Sequence, residues 1–139
     1  MRDIQLPLRV AYFEKITSLG LDMYENDAVP EDAQTPYVIY SDADSTEDSN
    51  KSDFGRKARV LLDIVTSFPK NVIGGSKGAD LLAGTILEII NSKTKFIIND
   101  DLQSVSIKLI QDKKLNAVSE TERVFRRLLR FEHIIRQLN

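Results

Sequence analysis

The chain has 139 residues, of which 42% are hydrophobic and 29% are charged, and its formal net charge is -2. This balance is typical of a folded domain with one core and argues against global disorder. The near-neutral charge gives no overall basic footprint for nucleic acid, although a local basic stripe is compatible with it. Because the chain has no cysteine, disulfide frameworks, thiolate nucleophiles and zinc–thiolate sites are excluded.

The sequence carries no targeting or membrane signal. No apolar run approaches the roughly 20 residues that cross a bilayer, and the N-terminus lacks the apolar core of a signal peptide. We therefore expect a soluble, intracellular product, and we expect residues 1–139 to form a single domain without internal repeats.

Helical periodicity predicts a first helix over residues 7–19. Pro7 suits a first turn, because its missing N–H would be unpaired there, and Gly20 lies where a C-cap glycine belongs. One apolar stripe consists of Leu8, Tyr12, Ile16 and Leu19, and Val10, Phe13 and Leu21 are expected to widen it.

A strand-rich region is predicted to follow. Residues 22–26 are compatible with a short strand, residues 26–36 with a proline-containing loop, and residues 37–40, Tyr-Val-Ile-Tyr, with a strand. Residues 41–53 are almost entirely polar and include five acidic side chains. We expect them to form a long, flexible acidic loop.

The second half repeats the order of strand and helix. Residues 54–68 favour a strand ended by Pro69, although Leu61, Leu62, Val65 and Phe68 also fit a helical stripe. Ser76 is a good N-cap for a strongly apolar helix over residues 77–91. Val105, Ile107 and Leu109 alternate with polar residues, which predicts a half-buried strand.

The C-terminal segment, residues 123–139, fits two periods. Phe125, Leu129, Phe131 and Ile135 agree with a strand, whereas Val124, Leu128, Phe131, Ile135 and Leu138 agree slightly better with a helix. The complete order predicts an α+β fold, with an antiparallel sheet of about four to five strands and two helices packed on one face.

Catalytic and metal-binding patterns are weak. The acidic segment lacks the glycine and the final glutamate of a calcium-binding loop. Residues 74–78, Gly-Gly-Ser-Lys-Gly, lack the spacing of a phosphate-binding loop. His133 is the sole histidine, so it has no second histidine or cysteine with which to form a usual metal or nucleophile site. We expect no enzyme activity, no metal and no cofactor.

One basic cluster stands out near the C-terminus. It consists of Arg123, Arg126, Arg127 and Arg130, followed by Arg136. Guanidinium groups suit phosphate or carboxylate partners. The cluster is therefore a candidate for DNA contact or for contact with an acidic patch on a neighbouring subunit, and a solvated strand face is the third interpretation.

Residues 24–40 resemble the tail terminator family of bacteriophages, which includes tail completion, minor tail and head–tail joining proteins. The similarity lies in Val29, Pro30, Glu31, Asp32 and Ala33, followed by Pro36, Tyr37 and Val38. Weaker similarity covers residues 59–66, 81–90 and 123–136. It places a last strand at residues 123–136, and on that ground we predict a strand there.

The resemblance implies a structural protein of the virion rather than an enzyme. Such a protein forms a cyclic homo-oligomer of six or twelve copies at the phage neck, head–tail junction or tail end. Its expected partners are further copies of itself, portal or connector proteins and tail proteins. DNA is expected to pass through the channel without sequence-specific binding, and assembly is expected in the host bacterial cytoplasm. The ring leaves a channel on its axis.

Two hypotheses about sites follow. Asp42, Asp44, Glu47 and Asp48 are candidates for a channel-facing acidic loop that repels the duplex, so that their neutralisation would slow DNA ejection without blocking assembly. The main alternative function is a nucleic-acid-binding module that uses the arginine cluster and binds duplex in a salt-dependent manner.

Overall fold

The computed structural model describes residues 3–47, 55–72, 74–90 and 96–138. These residues form two helices and six strands. The elements in chain order are α1 (Gln5–Thr17), β1 (Asp22–Glu25), β2 (Tyr37–Glu47), β3 (Gly55–Pro69), α2 (Lys77–Ile90), β4 (Phe96–Ile97), β5 (Leu102–Val118) and β6 (Glu122–Gln137).

The described strands form one curled, mixed sheet in the order β1-β2-β3-β6-β5-β4. The prediction of an antiparallel sheet with four to five strands was therefore wrong. β1 pairs with β2 in parallel, because the loop between them returns the chain to the end of the sheet at which β1 began. β4 has two residues, too few to give a periodic signal in the sequence.

Both helices pack against one face of the sheet and enclose the core. The fully buried side chains include Leu8, Tyr12 and Ile16 from α1 and Ile86 and Ile90 from α2. In the described part of the chain, neither helix is long and apolar enough to cross a membrane. The helices follow the sequence closely, since α1 begins two residues before the predicted start and α2 begins directly after Ser76.

The outer stripe of α1 departs from the prediction. Val10 and Phe13 were expected to widen the buried stripe, but they are 46% and 48% exposed. Gly20 adopts a φ of +80° in the turn after α1, a conformation that a side chain would strain. This turn directs the chain into β1.

The acidic segment does not begin as a loop. Residues 41–47 continue β2 and pair with β3 from Ser41↔Leu61 to Glu47↔Arg56, with an irregularity between Asp42 and Asp44. The prediction of a flexible loop over residues 41–53 was wrong for these residues. Backbone pairing to one neighbour is enough to hold a polar strand at a sheet edge, where no side chain need enter the core. Residues 48–54 lie outside the described residues.

The three long strands β3, β6 and β5 form the main part of the sheet. β6 pairs antiparallel with β3 from Glu122 to Arg136 and with β5 on its other side. The strand predictions are confirmed for residues 55–68 and for the C-terminal segment up to Gln137, and the helical alternatives for these residues are wrong. Irregularities in β5 at Val105 and Ile110 turn both of these side chains toward solvent.

A buried polar chain crosses the core between α1 and the sheet. The Tyr12 hydroxyl lies 2.5 Å from Nε2 of His133, and the Ser104 hydroxyl lies 2.8 Å from Nδ1. Ser104 donates its own proton to the carbonyl of Ser106, so it accepts from Nδ1–H and leaves Nε2 to accept from Tyr12. His133 is fully buried and neutral, because burial lowers its pKa from 6.5 to about 4.

The lowered pKa of His133 predicts an acid-sensitive core. The unfolded chain takes up the imidazole proton as the pH falls through about 6.5, whereas the folded chain takes it up only near pH 4. The stabilising contribution is complete above pH 6.5 and is lost toward pH 4, by about 3 kcal/mol. Denaturant unfolding of the native chain and of His133→Gln, measured from pH 7.5 to 4, should give curves that converge at acid pH. Parallel curves would contradict the prediction.

Candidate interaction site

The sheet face opposite the helices carries Arg126, Arg130 and Arg136 of the arginines that the sequence singled out. Directly paired residues of neighbouring strands share a face, so the register assigns the charges on β3, β5 and β6. On these three strands the face carries seven cationic and three acidic residues. They are Lys57, Arg59, Lys108, Lys113, Arg126, Arg130 and Arg136, with Asp63, Glu122 and Glu132. We call this surface the open face, and its excess of positive charge favours an anionic partner.

Two ion pairs organise part of the open face. Nη2 of Arg126 lies 3.1 Å from Oδ2 of Asp63, and Nε of Arg59 lies 3.2 Å from Oε2 of Glu132. Partial burial raises the pKa of Asp63, and the adjacent Arg126 guanidinium opposes that rise. Each pair joins a residue of β3 to a residue of β6 and so stabilises the contact between the two strands. The carboxylate of Asp63 also neutralises part of the positive charge that Arg126 would otherwise present to a partner.

The predicted arginines are divided between the two faces. Arg126 and Arg130 lie on the open face, whereas Arg123 and Arg127 alternate onto the helix side of β6. Within the described residues, the buried Nε atoms of Arg123 and Arg130 have no hydrogen-bond partner. This division follows from the alternation of side chains along a strand, which places Arg126 and Arg130 on one face and Arg123 and Arg127 on the other.

Arg127 joins the strands to α2. Its Nε and Nη2 donate to the two carboxylate oxygens of Asp112 at 2.6 Å each, and its Nη1 donates to Asp80 at 2.8 Å. Lys114 also donates to Asp80, at 3.1 Å. Hydrogen bonds from Arg127 lower the pKa of Asp112, and hydrogen bonds from Lys114 and then Arg127 lower that of Asp80. Arg127 therefore has a structural role, in which it holds α2 against β5 and β6.

The predicted acidic residues lie on β2, on the far side of β3 from the arginines of β6. Asp42, Asp44 and Glu47 lie in the part of β2 that follows its last residue pair with β1, Glu25↔Tyr40. Asp48 lies outside the described residues. The structure does not bring this acidic segment and the arginine cluster together within one chain, because β3 separates β2 from β6. Its role in a channel stays a prediction.

The proline-containing turn lies at one end of the open face. Residues 30–35, together with residues of β2, β3 and β6, line a cleft of about 430 Å³ whose rim includes Glu31, Asp32 and Arg126. The Thr35 and Ser67 hydroxyls are hydrogen-bonded at 2.8 Å, which attaches the turn to β3. Tyr37 and Ile39 face the open side while Val38 and Tyr40 are buried, as their alternation predicted.

A second surface was missed by the sequence analysis. Leu6, Val10, Phe13 and Met23 line a shallow apolar depression of about 250 Å³ between α1 and β1. Arg9 and Glu25 flank it and form an ion pair. Its only sequence signal was that the apolar residues of α1 are too many for one buried stripe.

The described residues offer little for catalysis. Among residues 3–47, 55–72, 74–90 and 96–138, no group of three histidine or acidic side chains is placed to hold a metal ion. His133 is enclosed by Tyr12 and Ser104 in the core, where a substrate cannot reach it.

The comparisons with known proteins show the fold. A chain from the virion of a native gene transfer agent particle has a TM-score of 0.61 and 16% identity, with 86% of this chain and 82% of that chain covered. A second solved structure has a TM-score of 0.51 and 10% identity, with 95% and 96% covered. No known protein family and no curated protein matches the sequence.

Replacing Arg127 should destabilise the fold more than replacing an exposed arginine. Arg127→Leu removes three charge-assisted hydrogen bonds, two to Asp112 and one to Asp80. Of the hydrogen bonds from cations to these two acids described above, only that from Lys114 to Asp80 is left. We expect a loss of about 2 kcal/mol in the free energy of unfolding. Arg9→Leu, which breaks the exposed pair with Glu25, should cost less than about 1 kcal/mol. Equal costs in urea unfolding would show that Arg127 is not structural.

Proposed function

We propose that this chain is a structural protein of a phage-like virion, and that it forms a ring at the head–tail junction or the tail end. The observation that carries the proposal is the fold shared with a chain of the gene transfer agent virion over 86% of this sequence. The Pro-Tyr-Val region supports the finer assignment to a tail terminator, because Pro36 ends the turn that the resemblance identified and β2 starts at Tyr37 directly after it.

The distribution of surfaces supports a role in assembly. A head-to-tail ring requires two different contact surfaces on each subunit. The protein offers the apolar depression on α1, the basic open face and two opposite sheet edges. Six or twelve copies would enclose a channel for DNA, and neighbouring portal, connector or tail proteins would dock on the two rims. The role needs no chemical step.

The proposal predicts a closed oligomer. Light scattering and native mass spectrometry of the purified chain, alone and mixed with particle proteins from the same source, should give a mass of six or twelve copies. Particles made without the chain should contain heads and tails that fail to join or tails of unregulated length. A monomer at every concentration and with every particle protein, together with normal particles in its absence, would overturn the proposal.

The open face favours a second candidate function, which is contact with duplex DNA. Its cationic residues outnumber the acidic ones on β3, β5 and β6, although Arg126 and Arg59 are already paired with carboxylates. Lys57, Lys108 and Arg130 are therefore better candidates than the sequence cluster as a whole. Contact of this kind would be independent of base sequence, since it involves phosphates.

This second candidate predicts a salt-dependent affinity. The triple variant Lys57→Gln, Lys108→Gln and Arg130→Gln should weaken duplex binding, and it should reduce the salt slope by up to about 2–3, because each lost phosphate contact removes about 0.9. Arg9→Gln, on the helix side, is the matched control and should leave the slope unchanged. Fluorescence anisotropy between 50 and 200 mM salt provides the measurement. No binding by the native chain at 50 mM salt would exclude the candidate.

A further inference from the structure

We propose that the ring closes by sheet continuation, in which the free edge of β2 on one subunit pairs with the free edge of β5 on the next. This inference rests on the proposed function, since it names the contact that joins neighbouring copies. The β2 edge segment comprises residues 41–47, and the β5 edge segment comprises residues 111–118.

Within the described residues, each segment pairs with a single neighbouring strand. Residues 41–47 pair with β3, and β1 ends opposite Tyr40. Residues 111–118 pair with β6, and in the described part of the chain β4 pairs with β5 at Gln103 and Ser104 alone. Each segment thus presents a row of backbone donors and acceptors.

The β5 edge segment exposes side chains that a partner strand would cover. All its residues are exposed, and they include Leu115 and Val118, which are 41% and 68% exposed. A long exposed edge of this kind promotes pairing with another chain. Pairing with a defined partner would satisfy its backbone groups and cover these apolar side chains.

Strand direction permits the junction. From β2 through β3 and β6 to β5, every neighbouring pair is antiparallel, so β2 and β5 run in opposite directions. When a second copy is placed beside the first by rotation about a ring axis, its β5 therefore meets β2 antiparallel. Four alternating strands per subunit make the pattern continuous around any number of copies, which is the requirement for a head-to-tail ring.

The charges of the two segments are complementary. The β2 edge segment contributes Asp42, Asp44 and Glu47 and no cationic residue, whereas the β5 edge segment contributes Lys113. The other two charged residues of the β5 segment are paired within the chain, Asp112 with Arg127 and Lys114 with Asp80. Opposite charges across the junction would favour the β2–β5 contact over contacts between two identical edges, in which like charges would meet.

The levels of the two segments fit a closed sheet of tilted strands. Through β3 and β6, Ser41 lies level with Gln111, so the β2 segment extends toward one end of the sheet and the β5 segment toward the other. Strands in a closed sheet tilt by about 35–45° and are staggered along their axes. A stagger across the four strands of a subunit would bring the two offset segments opposite each other.

Disulfide trapping tests the contact directly, because the chain has no cysteine of its own. Thr46 faces the open side of β2, since it pairs with Lys57, and Gln111, Lys113 and Leu115 face the same side of β5. Thr46→Cys is combined in turn with Cys at each of these three positions. β2 and β5 of one chain are three strand spacings apart, about 14 Å along the sheet, whereas a disulfide joins Cα atoms about 4.4–6.8 Å apart.

The expected result is a ladder of covalent oligomers that ends at the copy number of the ring and collapses to monomer on reduction. One of the three partner positions should cross-link in preference to the others. Each single-cysteine variant should give dimers at most, and Cys at Glu88 on α2 paired with Lys113→Cys is the matched control that should give no ladder. A ring of the correct mass without a ladder from any β2–β5 pair overturns the inference but leaves the proposed function intact. A monomer under all conditions overturns both.

A charge-reversal experiment tests the same β2–β5 contact without introducing a cysteine that could disturb folding. Lys113→Glu should weaken each junction about two- to fivefold, the effect expected of an exposed charge contact, and Asp44→Lys in the same chain should restore it. Lys77→Glu, at an exposed position of α2 outside both edge segments, is the control. If neutralising Asp42, Asp44 and Glu47 leaves the ring intact and slows DNA ejection instead, the acids lie in the channel and the inference is wrong.

Discussion

The pairing of β6 with two long neighbours is the constraint on which the rest of the structure depends. β6 lies between β3 and β5 and pairs with both over most of its length. Its alternation buries Leu129, Phe131, His133 and Ile135 beneath the helices and places Arg126 and Arg130 on the opposite face. A shift of β6 by one residue against β3 and β5 would exchange these two sets of side chains between the faces. The register therefore determines both the core and the open face.

The helices and the main strands could be predicted from periodicity, whereas the edges of the sheet could not. α2 carries a strongly apolar face and begins after a good N-cap, so its sequence defined it. Residues 41–47 lack any hydrophobic signal, because an edge strand exposed to solvent is held by backbone pairing that the side chains do not encode. The parallel pairing of β1 with β2 likewise depends on the path of the loop over residues 26–36.

The candidate site shows the same division between composition and geometry. The sequence located the arginines on one segment, and it left strand and helix arrangements of them open. The strand separates Arg127 from Arg126, and the separation has physical consequences: Arg127 joins α2 to β5 through Asp80 and Asp112, while Arg126 pairs with Asp63 across the open face. A cluster of like charges in sequence therefore contains residues of different roles, and only the partners distinguish them.

Within the described residues, the β2 and β5 edge segments differ in properties that affect their pairing with other chains. A subunit with an exposed strand edge risks pairing with any other extended chain, yet the two edges here differ in charge and in level along the sheet. Contacts between two β2 edges would oppose acids to acids, and contacts between two β5 edges would oppose lysines to lysines. In the proposed ring, the contact between unlike edges avoids both repulsions and uses both edge segments of every subunit. The charge pattern selects the pair of edges that meet, whereas the rotation between neighbouring subunits decides between a closed ring and an open filament.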